Sequence, residues 1–132
     1  PSLFSKLAGT QTQVRQLIAT TGSTLDEAGQ ALYLYLMQKP AHVSATLAMM
    51  AQWNLTPFLR RMTNQTTPTL LITASNDRAV PASVSERAAQ VMPDATWLDI
   101  PDYGHLVHEE AADLVAAPIL AFLARFTASG EA

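Results

Sequence analysis

The chain contains no cysteine, which excludes disulfides and thiolate-held metals and leaves its redox compartment open. Charge is sparse as well: 8 basic and 11 acidic residues among 132 leave a formal net charge of −3. That balance gives no electrostatic footprint for nucleic acid or an anionic membrane, so neither is expected as a partner. No apolar run approaches the roughly 18–20 residues that a membrane span requires. Histidines and carboxylates show no metal-ligand spacing of the H-E-x-x-H kind, so no metal and no other cofactor is expected. The opening Pro1-Ser2-Leu3-Phe4 has neither a methionine nor a charged-then-apolar signal layout. A start at proline leads us to expect a chain cut from something longer. Against these absences stands a hydrophobic fraction of 48% beside a charged fraction of 14%. The length suffices for one modest domain with a real core. So apolar a short chain is expected to have part of its surface covered by something outside it.

Residues 1–63 read as helical. Val14, Leu17 and Ile18 recur at helical spacing, and Ser23 stands before Leu25-Asp26-Glu27 as a capping hydroxyl before a carboxylate-rich first turn. Leu32, Tyr33, Leu36 and Met37 then form an apolar stripe that Pro40 ends. A third helix is expected with Val43, Leu47, Met50 and Ala51 inward and Trp53 near its end. A short fourth follows over about residues 57–62, with Pro57 where a first turn tolerates it.

The character changes after Asn64-Gln65-Thr66-Thr67. Thr69–Ala74 is a short, nearly continuous apolar run suited to a parallel strand buried on both faces. A polar turn, Ser75-Asn76-Asp77-Arg78, leads to Val80-Pro81 and to helical spacing over about residues 82–92. Ala95–Ile100 is a second strand, Pro101–His105 a loop, and residues 106–126 a last helical region with a kink or division expected at Pro118. The tail over 127–132 is expected to fray. Strand, helix, strand and helix make a βαβ unit with a covering helix, and a right-handed crossover makes its strands parallel. Two parallel strands are a poor stand-alone sheet, because both faces and both edges need partners. Further strands are therefore expected outside this sequence.

Functional residues of open α/β sheets gather beyond the carboxyl ends of the strands. Asp77 follows the first strand and His105 the second, so both belong to one sheet edge. Adjacent strands lie only about 4.8 Å apart, close enough for the two side chains to meet. A carboxylate bonded to one imidazole nitrogen fixes the tautomer and leaves the other nitrogen as a base. Gly104 would give the backbone a tight or positive-φ turn. Taken singly, an Asp in a turn is most often an Asx-turn or cap residue; the ordered combination is far more specific. His108 lacks a preceding glycine and reads as a surface or cap-facing residue, and His42 as a solvated or capping one. Glu109 and Glu110 read as carboxylates favoured by a helix N-terminus. Trp53 and Met49 would either line an apolar substrate pocket or pack as a helix stripe, and the sequence does not choose. No serine has the flanking glycines and preceding buried strand of a nucleophile elbow.

The stretch TPTLLITASNDRAVP…MPDATWLDIPDYGHLVHEEAADLVAAPILAFL resembles the last third of α/β-hydrolase-fold enzymes. Asp77 matches their triad acid and His105 their triad base; Ser75 departs from a frequent glycine, and Ala111-Ala112 from a frequent proline. Thr21-Gly22-Ser23, Leu25-Asp26, Gly29, Tyr33, Leu47-Ala48-Met49-Met50-Ala51 and Trp53 resemble the helical cap of magnesium chelatase accessory proteins of bacteriochlorophyll synthesis. The resemblance implies an α/β fold, the C-terminal part of an α/β-hydrolase with its N-terminal strands missing. Residues 1–63 would be a helical cap and residues 64–132 the C-terminal βαβα part of the core. It further implies a cytoplasmic protein whose parent hydrolyses a small, apolar, ester-like substrate by a nucleophile–His–Asp triad, the fragment alone being inactive. Alternatives are a non-catalytic accessory protein that binds a porphyrin or assists magnesium chelatase, and a homo-oligomer that covers its own strand edge.

Overall fold

The computed structural model describes residues 9–127. Helix α1, Gln11–Thr20, opens on a reciprocal cap: Thr10 accepts from the Gln13 N–H and the Gln13 side chain accepts from the Thr10 N–H. One turn apart, Val14 and Ile18 are fully or almost fully buried, each contributing about 1.5–3 kcal/mol by burial. Leu17 points outward instead, half exposed. Helix α2, Glu27–Met37, starts one turn later than Ser23: Asp26 is its cap, accepting from the Gly29 N–H at 2.8 Å. Ser23 is buried and serves another purpose. Tyr33, Leu34 and Met37 pack on Val14, Ile18 and Leu106, while Leu32 and Leu36 stay exposed, so the stripe is rotated from the sequence expectation.

Helix α3, Pro40–Ala51, and α4, Thr56–Arg61, continue into a 3-10 turn over Met62–Asn64. Leu47, Met50 and Ala51 were expected inward and are exposed. The reason is a missing neighbour: among the described residues α3 packs on α2 and little else. Strands β1, Thr69–Ala74, and β2, Ala95–Ile100, form a two-stranded parallel sheet in the register Thr69 with Ala95 through Ala74 with Ile100. Helix α5, Ala82–Val91, links them and lies against both. On the paired Thr73 and Asp99, the hydroxyl donates to the carboxylate at 2.7 Å and accepts from the Trp97 indole at 2.9 Å.

Most of β1 is half-buried rather than enclosed on both faces, because each strand has one unpaired edge among the described residues. Helix α6, Val107–Glu110, and α7, Ala112–Thr127, replace the single last helix. The division falls at Ala111, with φ −145°, and α7 runs on through Pro118, where the break was expected. Ala74, Ile100 and Val107 form a second buried cluster with Ile72, Tyr103, Ala111 and Val115 around them. The divided helix seats both its halves on the carboxyl ends of the strands. Beyond Thr127, the tail expected to fray lies outside the described residues, as does the Pro1 start.

Candidate functional site

Because β1 and β2 run parallel and in register, both chains leave the sheet at one edge, from Ala74 and Ile100. Hydrogen bonds then carry the pairing into the loops. The Ser75 N–H donates to the Ile100 carbonyl at 3.1 Å, and the Asn76 N–H to the Tyr103 carbonyl at 2.9 Å. The Asp102 N–H donates to the Ser75 hydroxyl at 3.0 Å. Asp77 and His105 are thereby brought together: Asp77 Oδ2 lies 2.8 Å from His105 Nδ1. The other carboxylate oxygen, Oδ1, accepts from the Ala79 and Val80 amides, both at 2.8 Å. Asp77 is thus a turn residue through one oxygen and an imidazole partner through the other.

An ionised carboxylate only accepts, so Nδ1 carries the proton and Nε2 is the basic nitrogen. Burial pushes the Asp77 carboxyl up, but the Val80 amide, the hydrogen bond to the His105 ring, the Ala79 amide and electrostatic attraction to His105 together hold it below the usual carboxylate range. The carboxylate side chain is 10% exposed and the imidazole 42%. The orienting group is sheltered while the ring faces an open cavity of about 280 Å3, lined also by Ile72, Val80, Ser85, Val107 and His108. His108 lies 3.6 Å from the Glu109 carboxylate on the solvent side. Met49 and Trp53 are 51% and 60% exposed and line no part of that cavity. The fold brings Asp77 and His105 together and leaves Met49 and Trp53 apart from them.

A family described as the alpha/beta hydrolase fold matches residues 4–112 of the sequence. The chain belongs to the α/β-hydrolase fold family. Both Asp77 and His105 fall inside the matched span. The chain is also 44% identical over 121 residues to the magnesium-chelatase 30 kDa subunit of Rhodobacter capsulatus. That alignment covers 92% of this chain and 42% of the relative, so the chain spans about two fifths of the length of the curated relative it matches.

In this α/β-hydrolase chain a segment between α1 and α2 reaches the same sheet edge, which local sequence patterns did not reveal. The Thr21 carbonyl accepts from the Arg78 N–H at 3.1 Å and from the His105 N–H at 3.2 Å, touching the acid loop and the base loop at once. The Ser23 hydroxyl accepts from the Leu106 N–H at 2.8 Å. Glu110 accepts from the Gly104 N–H at 3.1 Å through one oxygen and from the Thr24 N–H at 2.7 Å through the other. Burial pushes the Glu110 carboxyl up, yet the Thr24 amide, the Ser23 hydroxyl, the Gly104 amide and the Thr24 hydroxyl outweigh it and hold it below the usual range. Nearby, the Tyr33 hydroxyl donates to Glu109, and burial and then that carboxylate push the phenol up to about 12.

Gly104 serves by closeness and not by a left-handed turn: a Cβ there would lie 2.3 Å from the Gly22 carbonyl carbon. Gly22 itself has φ +84°, and a Cβ on it would lie 2.0 Å from the Asn76 carbonyl oxygen. The available signal was the run of small residues Thr21-Gly22-Ser23, with a glycine at a tight crossing. Glu110 gave no such signal, since its partner Thr24 is 86 residues away. Among the described residues no cluster of three or more metal-type ligands occurs, and no helix is long and apolar enough to cross a membrane.

Proposed function

We propose that this chain supplies the acid and the base of a nucleophile–His–Asp triad in a longer cytoplasmic protein that hydrolyses a small, apolar, ester-like substrate. One observation carries this assignment: a sheltered carboxylate, fixed by two amides, bonded at 2.8 Å to the Nδ1 of an imidazole that faces a cavity. The nucleophile and the oxyanion donors would come from an elbow and backbone amides outside this sequence. Residues 1–63 would act as a cap over the substrate and residues 64–132 as the C-terminal part of the core.

In the proposed cycle His105 Nε2 takes the proton of the nucleophile's hydroxyl as the oxygen attacks the ester carbonyl. The Asp77 carboxylate steadies the imidazolium. That proton then passes to the departing alkoxide, leaving an acyl-enzyme, and water repeats the sequence with the acid as product. No serine of this sequence stands in a G-x-S-x-G elbow, so neither an aimed nucleophile nor its oxyanion donors are supplied here. Losing both removes most of the acceleration, so the chain by itself is inert. The test is release of p-nitrophenol from a short-chain p-nitrophenyl ester. The full-length protein is expected to turn over and the 132-residue chain is not. Turnover by the isolated chain that His105→Ala abolishes would overturn the division of labour.

A second function is favoured by the 44% identity to a protein named as a magnesium-chelatase subunit. In it the full-length protein associates with a magnesium chelatase or holds its porphyrin substrate, and does no chemistry. Co-sedimentation with chelatase subunits and quenching of porphyrin fluorescence test it. Binding by a protein that lacks ester turnover would select it over hydrolysis.

A further inference from the structure

Three successive amides around the imidazole are anchored outside their own loop. The Gly104 N–H is bonded to Glu110, the His105 N–H to the Thr21 carbonyl and the Leu106 N–H to the Ser23 hydroxyl. The same Thr21 carbonyl takes the Arg78 N–H, one residue past Asp77. Glu110 closes the loop of contacts by accepting from the Thr24 N–H and hydroxyl. Gly22 and Gly104 let the backbones touch where any side chain would force them apart. This crossing strap fixes both loops to a third segment.

We propose that Glu110 is a positioning residue, which holds the Thr21–Thr24 strap across the two loops and so sets the distance between Asp77 and His105. It rests on the proposed acid–base role of that pair, and it goes beyond it by assigning a residue that touches neither of the two. The isosteric change Glu110→Gln keeps one oxygen to accept from Thr24 but turns an amide NH2 towards the Gly104 N–H. Two donors then face each other, and the His105 backbone must shift. A misplacement of about 1 Å at a reacting group costs on the order of 100-fold in rate.

The experiment uses the full-length protein, with ester turnover and the downfield proton signal of a carboxylate-bonded imidazole as separate readouts. His105→Ala assigns the signal. Glu110→Gln is expected to lower kcat at least about tenfold with KM within about twofold, the pattern of a lost transition-state interaction. It is also expected to broaden or shift the His105 signal. Ser23→Ala, which removes the Leu106 acceptor without adding bulk, is expected to act in the same direction and keeps the test open should Glu110→Gln not fold. Met62→Ala, at a buried residue outside both core clusters, is the stability control and is expected to lower the melting temperature without changing kcat or the signal. An unchanged kcat and signal in both strap variants would overturn the proposal, as would a fall in kcat that Met62→Ala reproduces at equal loss of stability. Should the wild type show no His105-dependent turnover, the acid–base reading fails by itself. The proton signal then decides the strap alone: lost in the strap variants it stands, unaltered or absent from wild type it falls.

Discussion

Gly104→Ala would drive a methyl group into a backbone crossing. Its Cβ would lie 2.3 Å from the Gly22 carbonyl carbon, 2.4 Å from the Ser23 nitrogen and 2.5 Å from the Gly22 oxygen. Ordinary contact for carbon is about 3.5–4.0 Å, so the crossing must open by more than about 1 Å. All three obstacles are backbone atoms, and no rotamer change relieves them. Overpacking alone costs about 1–3 kcal/mol. Opening the crossing also stretches the bonds from His105 to Thr21 and from Leu106 to Ser23, each worth about 1 kcal/mol net. The sum is about 3–5 kcal/mol, a large share of the 5–15 kcal/mol by which domains are stable. Urea unfolding of the full-length protein measures it as a lowered midpoint at unchanged slope. Gly29→Ala is the control, since Gly29 sits in the first turn of α2 with its nearest foreign atoms at 3.2 Å or beyond. There a small gain in helix propensity of up to about 1 kcal/mol offsets mild crowding. A Gly104→Ala midpoint within about 0.5 kcal/mol of wild type would refute the tight crossing.

Asp77→Asn keeps an oxygen for the Ala79 and Val80 amides but presents an NH2 to His105 Nδ1, which reverses the preferred tautomer. Turnover by the full-length protein is expected to fall by roughly 10^3–10^4-fold, far beyond what the lost carboxylate stabilisation would unfold, read from kcat beside a thermal melt. Acid unfolding follows from the carboxyls of Asp77 and Glu110, both held below their ordinary range. The folded state holds fewer protons than the unfolded one there, so their stabilisation is fully present above about pH 5 and is lost as pH falls through the depressed values. Asp77→Asn with Glu110→Gln should flatten urea midpoints between about pH 5 and pH 2, and an unchanged slope would contradict that linkage.

The sheet and its two polar loops were legible because their signals are local. An apolar run, a turn and a Gly-His are written within a few residues of one another, and parallel register then carries Asp77 to His105. Where α2 begins was misread, because Ser23 and Asp26 both offer a capping oxygen and only tertiary packing decides. Ser23 is drawn into the strap by Leu106, 83 residues away, leaving Asp26 to cap. The α3 stripe failed for the opposite reason. Its apolar residues promise burial, but Leu47 and Met50 stay about half exposed or more, because among the described residues the helix packs mainly on α2. Pro118 is tolerated inside α7, whereas Ala111 breaks the helix so that Val107 and Val115 can both reach the sheet.

Whether His105 is the base is tested most directly by comparing two histidines on one cavity. His105 and His108 both line it, yet only His105 is bonded to Asp77. Steady-state hydrolysis of a p-nitrophenyl ester by the full-length protein is expected to fall by at least about 10^3-fold in His105→Ala. His108→Ala should stay within about twofold of wild type. Equal turnover in wild type and His105→Ala, or a loss confined to His108→Ala, would contradict the account.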